Sequence, residues 1–141
     1  MKKTILLTVL TSFFLISCDN DDDNGNTYTL SGNASASQEV PANSSAGTAT
    51  LTGTYNADNN TLQYTITYTG LTGALVNSHF HGPALPGVNA GVMNGITVTT
   101  SPLTGTITLA DTSEAHLLGG KAYYNLHTAA YPGGEIRGQV T

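Results

Sequence analysis

Between Thr61 and Tyr68 apolar and polar residues alternate without a break. Leu62, Tyr64, Ile66 and Tyr68 fall on one side, and Thr61, Gln63, Thr65 and Thr67 on the other. A repeat of two belongs to an extended strand, because a helix would scatter those four apolar residues around its axis. The segment before it, Gly47 to Tyr55, alternates in the same way through Ala49, Leu51 and Gly53. Asn56-Ala57-Asp58-Asn59-Asn60 lies between them and is made of turn formers, so Gly47–Tyr68 reads as a β-hairpin. Further strands are expected at Tyr28–Ala34, Ala74–His81, Gly95–Thr99, Leu103–Leu109, Lys121–Thr128 and Glu135–Val140, where β-branched and aromatic residues are bounded by Gly, Asn and Pro. One helical turn is expected around Thr112–Leu118, with Asp111 or Thr112 as N-cap and Gly119 as the stop. No βαβ alternation and no solenoid repeat is visible. The fold class expected is all-β, a single antiparallel Greek-key sandwich or barrel.

The first seventeen residues follow a different rule. Lys2 and Lys3 precede a short apolar stretch from Ile5 to Ile16, the pattern of an export signal and too short for the ~20 apolar residues of a membrane-spanning helix. Leu15-Ile16-Ser17-Cys18 resembles the lipobox of bacterial lipoproteins, in which the cysteine is acylated (palmitate is a common chain) and the signal is cut before it. Cys18 is the only cysteine, so no intramolecular disulfide can form, and lipidation would remove an otherwise unpaired thiol. Two or more acyl chains anchor a protein stably. Residues 18–26, rich in aspartate, then read as a flexible acidic tether, and residues 27–141 as the folded domain. The expected location is the cell envelope, lipid-anchored to the outer membrane, with surface exposure if the acidic stretch acts as an export signal.

Charge narrows the partners. Once the signal is gone, Lys121 and Arg137 are the only strong bases left. Nucleic acid is therefore a poor partner, and the membrane is reached through the lipid rather than through basic residues. Catalysis also finds little support. The one thiol is committed to lipid, no Gly-x-Ser-x-Gly turn occurs, and Glu39, Asp58, Asp111, Glu114 and Glu135 do not assemble into an obvious pair.

The chemistry that stands out is imidazole. His79 and His81 are two apart in an expected strand, so both leave the same face, roughly 6.5 to 7 Å apart along the chain. His127 follows Tyr123 and Asn125 on one face of another strand, while Ala122, Tyr124 and Leu126 take the core side. In the last strand Glu135 and Arg137 share a side opposite Ile136 and Val140. His79, His81, Asn125, His127, Glu135 and Arg137 are thus expected to converge on one polar patch. Three readings stay open for it. The histidines could hold copper or zinc with Glu135 as a fourth ligand or supporting partner. Alternatively Glu135 pairs with Arg137 while the histidines bond the backbone of two Gly/Pro-rich loops, His81–Val92 and Tyr131–Gly134. In the third, the patch recognises an extracellular protein or glycan. His116, in the apolar run Ala115–Leu118, is read as a packed or surface histidine.

Three separated segments carry a family resemblance. Ser78-His79-Phe80-His81-Gly82-Pro83-Ala84, Gly119 to Thr128, and Tyr131-Pro132-Gly133-Gly134-Glu135-Ile136-Arg137-Gly138-Gln139 resemble the CHRD domain, named from the animal protein chordin, and Leu30-Ser31-Gly32 to Gln38-Glu39-Val40-Pro41 looks like its opening. The resemblance spans about Tyr28 to Val140. It implies a non-catalytic binding or structural module. The domain is also distantly similar to the copper–zinc superoxide dismutase barrel, where a His-x-His strand supplies metal ligands. This chain lacks that enzyme's disulfide and its histidine-rich zinc loop, so the likeness favours metal binding slightly and dismutase activity hardly at all.

Overall fold

In β2 (Thr48–Asn56) and β3 (Thr61–Thr69) the alternation becomes a register that sets Leu51 opposite Ile66 and Tyr55 opposite Leu62. All four point inward and are buried. The turn between the strands has the physical basis its residues suggest. The Asn56 side chain accepts from the Asp58 amide at 2.8 Å, and Asn60 takes a positive φ of 56°, a conformation asparagine tolerates better than most residues. The structure, a computed structural model, describes residues 26–141. The signal segment, Cys18 and nearly all of the acidic tether lie outside the described residues.

The other elements are β1 (Thr27–Ser35), a 3-10 turn at Ala36–Gln38, β4 (Leu75–His81), β5 (Val92–Gly95), β6 (Leu103–Thr108), α1 (Asp111–Leu118), β7 (Ala122–Thr128) and β8 (Ile136–Val140). Every strand pairing is antiparallel, in the order β5-β4-β7-β8-β1-β2-β3-β6. The neighbours β4/β7, β8/β1 and β3/β6 are not consecutive in the chain, so crossovers wind the sheet into a nearly closed barrel. At the seam the Asn94 amide of β5 reaches the Thr108 carbonyl of β6 at 3.4 Å. The all-β expectation holds.

One core fills the barrel. Leu30, Leu51, Tyr55, Leu62, Ile66, Phe80, Leu103, Tyr124, Leu126, Ile136 and Val140 are all buried in it, with Tyr64 set edge-on to Phe80 at 5.4 Å between ring centres. Most strands match expectation to within one residue at either end, and two elements differ in a way that has a physical cause. The strand expected at Gly95–Thr99 lies instead at Val92–Gly95, because Phe80 pairs with Asn94 and His81 with Val92, across a bulge. Pairing with β4 outweighs the turn propensity of Asn94-Gly95. The helix begins at Asp111 with Ala110 in the N-cap position and no side-chain cap. Asp111 instead accepts from the Asn60 amide at 2.7 Å, which ties the helix start to the β2–β3 turn, and it remains in the first turn, where a negative charge suits the helix dipole.

Candidate functional site

β7 is the strand that alternation alone would misread, because all seven of its residues are buried. Ala122, Tyr124 and Leu126 face the core, whereas Tyr123, Asn125 and His127 lie on the outside of the barrel. Loops cover that outer face. The long loop after His81 is held by a set of side-chain bonds to its backbone. Gln139 donates to Ala84 O at 2.8 Å, Arg137 to Val88 O at 2.8 Å, and the Ala90 amide donates to the Tyr123 hydroxyl at 3.2 Å. β4 pairs with β7 so that His79 lies opposite Asn125 and His81 opposite Tyr123, while Asn77 lies opposite His127.

The three histidines meet. His79 Nδ1 and His127 Nε2 are 3.2 Å apart, and one ligand nitrogen from each of His79, His81 and His127 fits within 4.8 Å of the others. Asn125 Oδ1 sits among them, 3.1 Å from His81 Nε2 and 2.9 Å from His127 Nε2. Two nitrogens of one tetrahedral ion with bonds of about 2.0–2.1 Å stand about 3.3 Å apart, so the His79–His127 pair already has that spacing. His81 and His127 are nearly buried and His79 is partly open, which leaves one side of the cluster accessible.

Hydrogen-bond accounting assigns the tautomers. His81 Nδ1 lies 3.0 Å from Ala90 O, and His127 Nδ1 lies 3.0 Å from Pro132 O. A carbonyl only accepts, so both Nδ1 atoms carry the proton and both neutral rings turn an Nε2 lone pair into the cluster. Those lone pairs face Asn125 Oδ1, also an acceptor. Three arrangements relieve the clash: a doubly protonated ring, an Asn125 amide turned to present its NH2, or a cation among the three atoms. The first is disfavoured at His127. Burial lowers the His79 pKa, with the charges of His127 and His81 adding to it; burial also lowers His127, against the opposing bond to Pro132, with His81 adding.

Behind His81 lies a stack. Tyr123 is parallel to the His81 ring, 4.8 Å between centres and 2° between planes, and Arg137 caps the other side of Tyr123 at 3.5 Å. The Tyr123 hydroxyl bonds the Ala90 backbone that also receives His81 Nδ1. Tyr123 was legible as sharing the face of Asn125 and His127, but its stacking was not. The carbonyls of Ala90 and Pro132 leave no signal in the sequence.

The expected patch thus assembles in part. His79, His81, Asn125 and His127 come together, and Arg137 joins through Tyr123. Glu135 does not. It precedes β8, is fully buried, and turns its carboxylate to Ser45 at 2.6 Å, Thr128 at 2.5 Å, and the Thr72 amide and hydroxyl at 2.7 and 2.9 Å. Burial would raise its pKa, but these bonds outweigh it and leave the pKa lowered, so Glu135 is a satisfied carboxylate tying loops together. No ion pair joins it to Arg137. Strand parity is counted along a regular strand, and Glu135 lies before β8 begins at Ile136, which explains the misplacement. His116 is half-buried on α1, outside the cluster.

Residues 30–140 match the CHRD domain family. No curated protein and no solved structure gives a significant match.

Proposed function

The chain belongs to the CHRD domain family, and from that premise we propose that it is a non-catalytic, envelope-anchored binding module whose His79, His81 and His127 take one copper or zinc ion. The observation that carries this reading is the tautomer pattern. Two backbone carbonyls hold the outward nitrogens of His81 and His127 protonated, so that both inner nitrogens offer lone pairs beside His79 Nδ1. Metal-binding histidines are commonly oriented by such a bond from the second nitrogen, and imidazole suits copper and zinc. Asn125 Oδ1 is placed to complete the set, in the position first considered for Glu135. An ion there would supply Lewis acidity or, as copper, a redox couple.

Elemental analysis of the purified protein tests the reading, with about one equivalent of copper or zinc expected and less than a tenth of that in a His79→Ala/His81→Ala variant that still folds. A protein that holds no metal and takes up none on titration sinks it. A second reading has its own support, since the same bonds from His81 and His127 fasten two loops. In that case the Asn125 amide donates to both rings, the cluster is a structural network, and the partner is an extracellular protein or glycan.

The envelope location rests on Cys18 and the segment before it. Cys18→Ser is expected to move the protein from the membrane fraction to the soluble one. A variant that stays with the membrane would remove the anchor from the proposal.

A further inference from the structure

Among the described residues, Glu39 Oε1 is the one buried side-chain oxygen or nitrogen without a hydrogen-bond partner. The carboxyl lies against Gly134, whose φ of +130° is open to glycine and where any Cβ would run into it. Gly134 closes a turn, its amide donating to Tyr131 O at 3.1 Å. Within that turn, Pro132 O receives His127 Nδ1 at 3.0 Å. The one unsatisfied carboxyl in the barrel thus packs on the turn that orients a histidine of the cluster. Its charged surroundings are sparse. Two cavities of about 270 and 230 Å³ flank it, and the only other groups lining them that carry charge or titrate are Tyr131 of the turn and Arg137 of β8. The loop after β4 adds only Pro86 and Gly87 there. Arg137 is committed to Val88 O at 2.8 Å and to the face of Tyr123, and Glu135, just past the turn, faces Ser45, Thr72 and Thr128.

A neutral carboxyl tolerates such a place, whereas an ionised one with an empty oxygen has lost its hydration and gained nothing for it. We propose that Glu39 is a pH-sensitive latch on the Tyr131–Gly134 turn: neutral, it packs against the turn and keeps Pro132 O on His127, and ionised, it swings toward water and lets the turn open. The path outward exists. The larger cavity is rimmed by Pro41, Ala42, Pro132 and Gly133, all exposed, so it leads from the carboxyl to solvent. The element that moves is short and held by few bonds, the usual character of a segment that opens alone. Opening would free the His127 ring from its tautomer-setting bond while the strands beneath stay paired. The latch needs no metal, because its readout is the turn itself, and its failure would leave the metal reading untouched.

Hydrogen exchange followed by NMR on the full chain in EDTA, at pH 6 and pH 8, tests it, with each rate divided by its intrinsic rate at that pH. The reporters are the Tyr131 and Gly134 amides, bonded to Thr128 O and Tyr131 O. With a carboxyl pKa of 4.5 when the turn is open, raised by burial to about 7 when it is closed, linkage makes opening about tenfold more frequent at pH 8 than at pH 6. Both amides should show that increase, and the His127 Nδ1 proton should follow them. Their exchange should stay faster than that of the β2 amides and insensitive to dilute urea, which marks opening of the turn rather than of the barrel. Glu39→Gln, neutral at both pH values, should show no increase. Equal corrected rates at the two pH values in the unaltered protein overturn the proposal, and this comparison does not depend on the variant folding. So do an equal increase in Glu39→Gln, exchange of the turn only with the whole barrel, and a His127 proton that does not follow the turn.

Discussion

β2 and β7 are both well-paired strands in one barrel, yet they treat their outer faces in opposite ways. Along β2 the outward residues Thr48, Thr50, Thr52 and Thr54 are exposed, and their partners Thr69, Thr67, Thr65 and Gln63 on β3 continue the same uncharged surface. Along β7 nothing is exposed, because loops lie over Tyr123, Asn125 and His127. Threonine outside needs no partner, since water satisfies its hydroxyl. A covered imidazole or guanidinium must find every bond within the protein. Polar groups under the loops are therefore where ligand chemistry concentrates, while the threonine face adds strand propensity and solubility.

The comparison can be strained from the core first. Leu62 is fully buried beneath the threonine face, and Leu62→Ala should cost about 2–5 kcal/mol by chemical denaturation, with the folded fraction still able to take up metal. A loss of metal binding from the folded fraction would show that the two halves are not separable.

Next in size is the pH response of the covered side. Burial pushes Glu39 up to about 7 from its ordinary value of 4.5, against the opposing charge of Arg137 and a bond from the Val40 backbone. A carboxyl raised on folding contributes its stability below the unfolded value and loses it as pH rises through the folded one. Unfolding free energy should therefore fall by about 3 kcal/mol between pH 4.5 and pH 8 from this group. Glu39→Gln should remove that slope, leaving the variant more stable than the parent at pH 8 and close to it at pH 4.5. Denaturation curves at the two pH values check this, and parallel slopes in parent and variant would show that Glu39 is not strained by its burial.

The smallest effect belongs to the open face. Thr52→Ser keeps the hydroxyl on an exposed position and should change stability by no more than about 0.5 kcal/mol. A larger loss in the melting curve would mean that this face is covered in the folded protein, contrary to the contrast drawn above.

Much of the architecture was legible in residue order. Period-two alternation marks β2 and β3, the asparagine-rich turn marks the hairpin between them, and His79 and His81 announce themselves by spacing. These are local consequences of backbone geometry, in which neighbours two apart share a face whatever the rest of the chain does. Parity also placed Asn125 and His127 on one side of β7. It failed for Glu135, which precedes the strand and is bound by Ser45 and Thr72, distant in sequence.

What only the tertiary structure decided is how distant segments meet. The β4–β7 register brings His79 and His81 to Asn125 and His127, and the folding of two loops delivers the carbonyls of Ala90 and Pro132 that select the tautomers. Backbone carbonyls are the same in every residue, so no sequence pattern announces them. The cavity lined by Glu39 and Arg137 likewise exists only because the segment after the Ala36–Gln38 turn and the last strand pack side by side. The sequence by itself determined the strands and the chemistry carried on each face. Long-range packing determined which of those groups share a site, because contact depends on register and loop closure rather than on order along the chain.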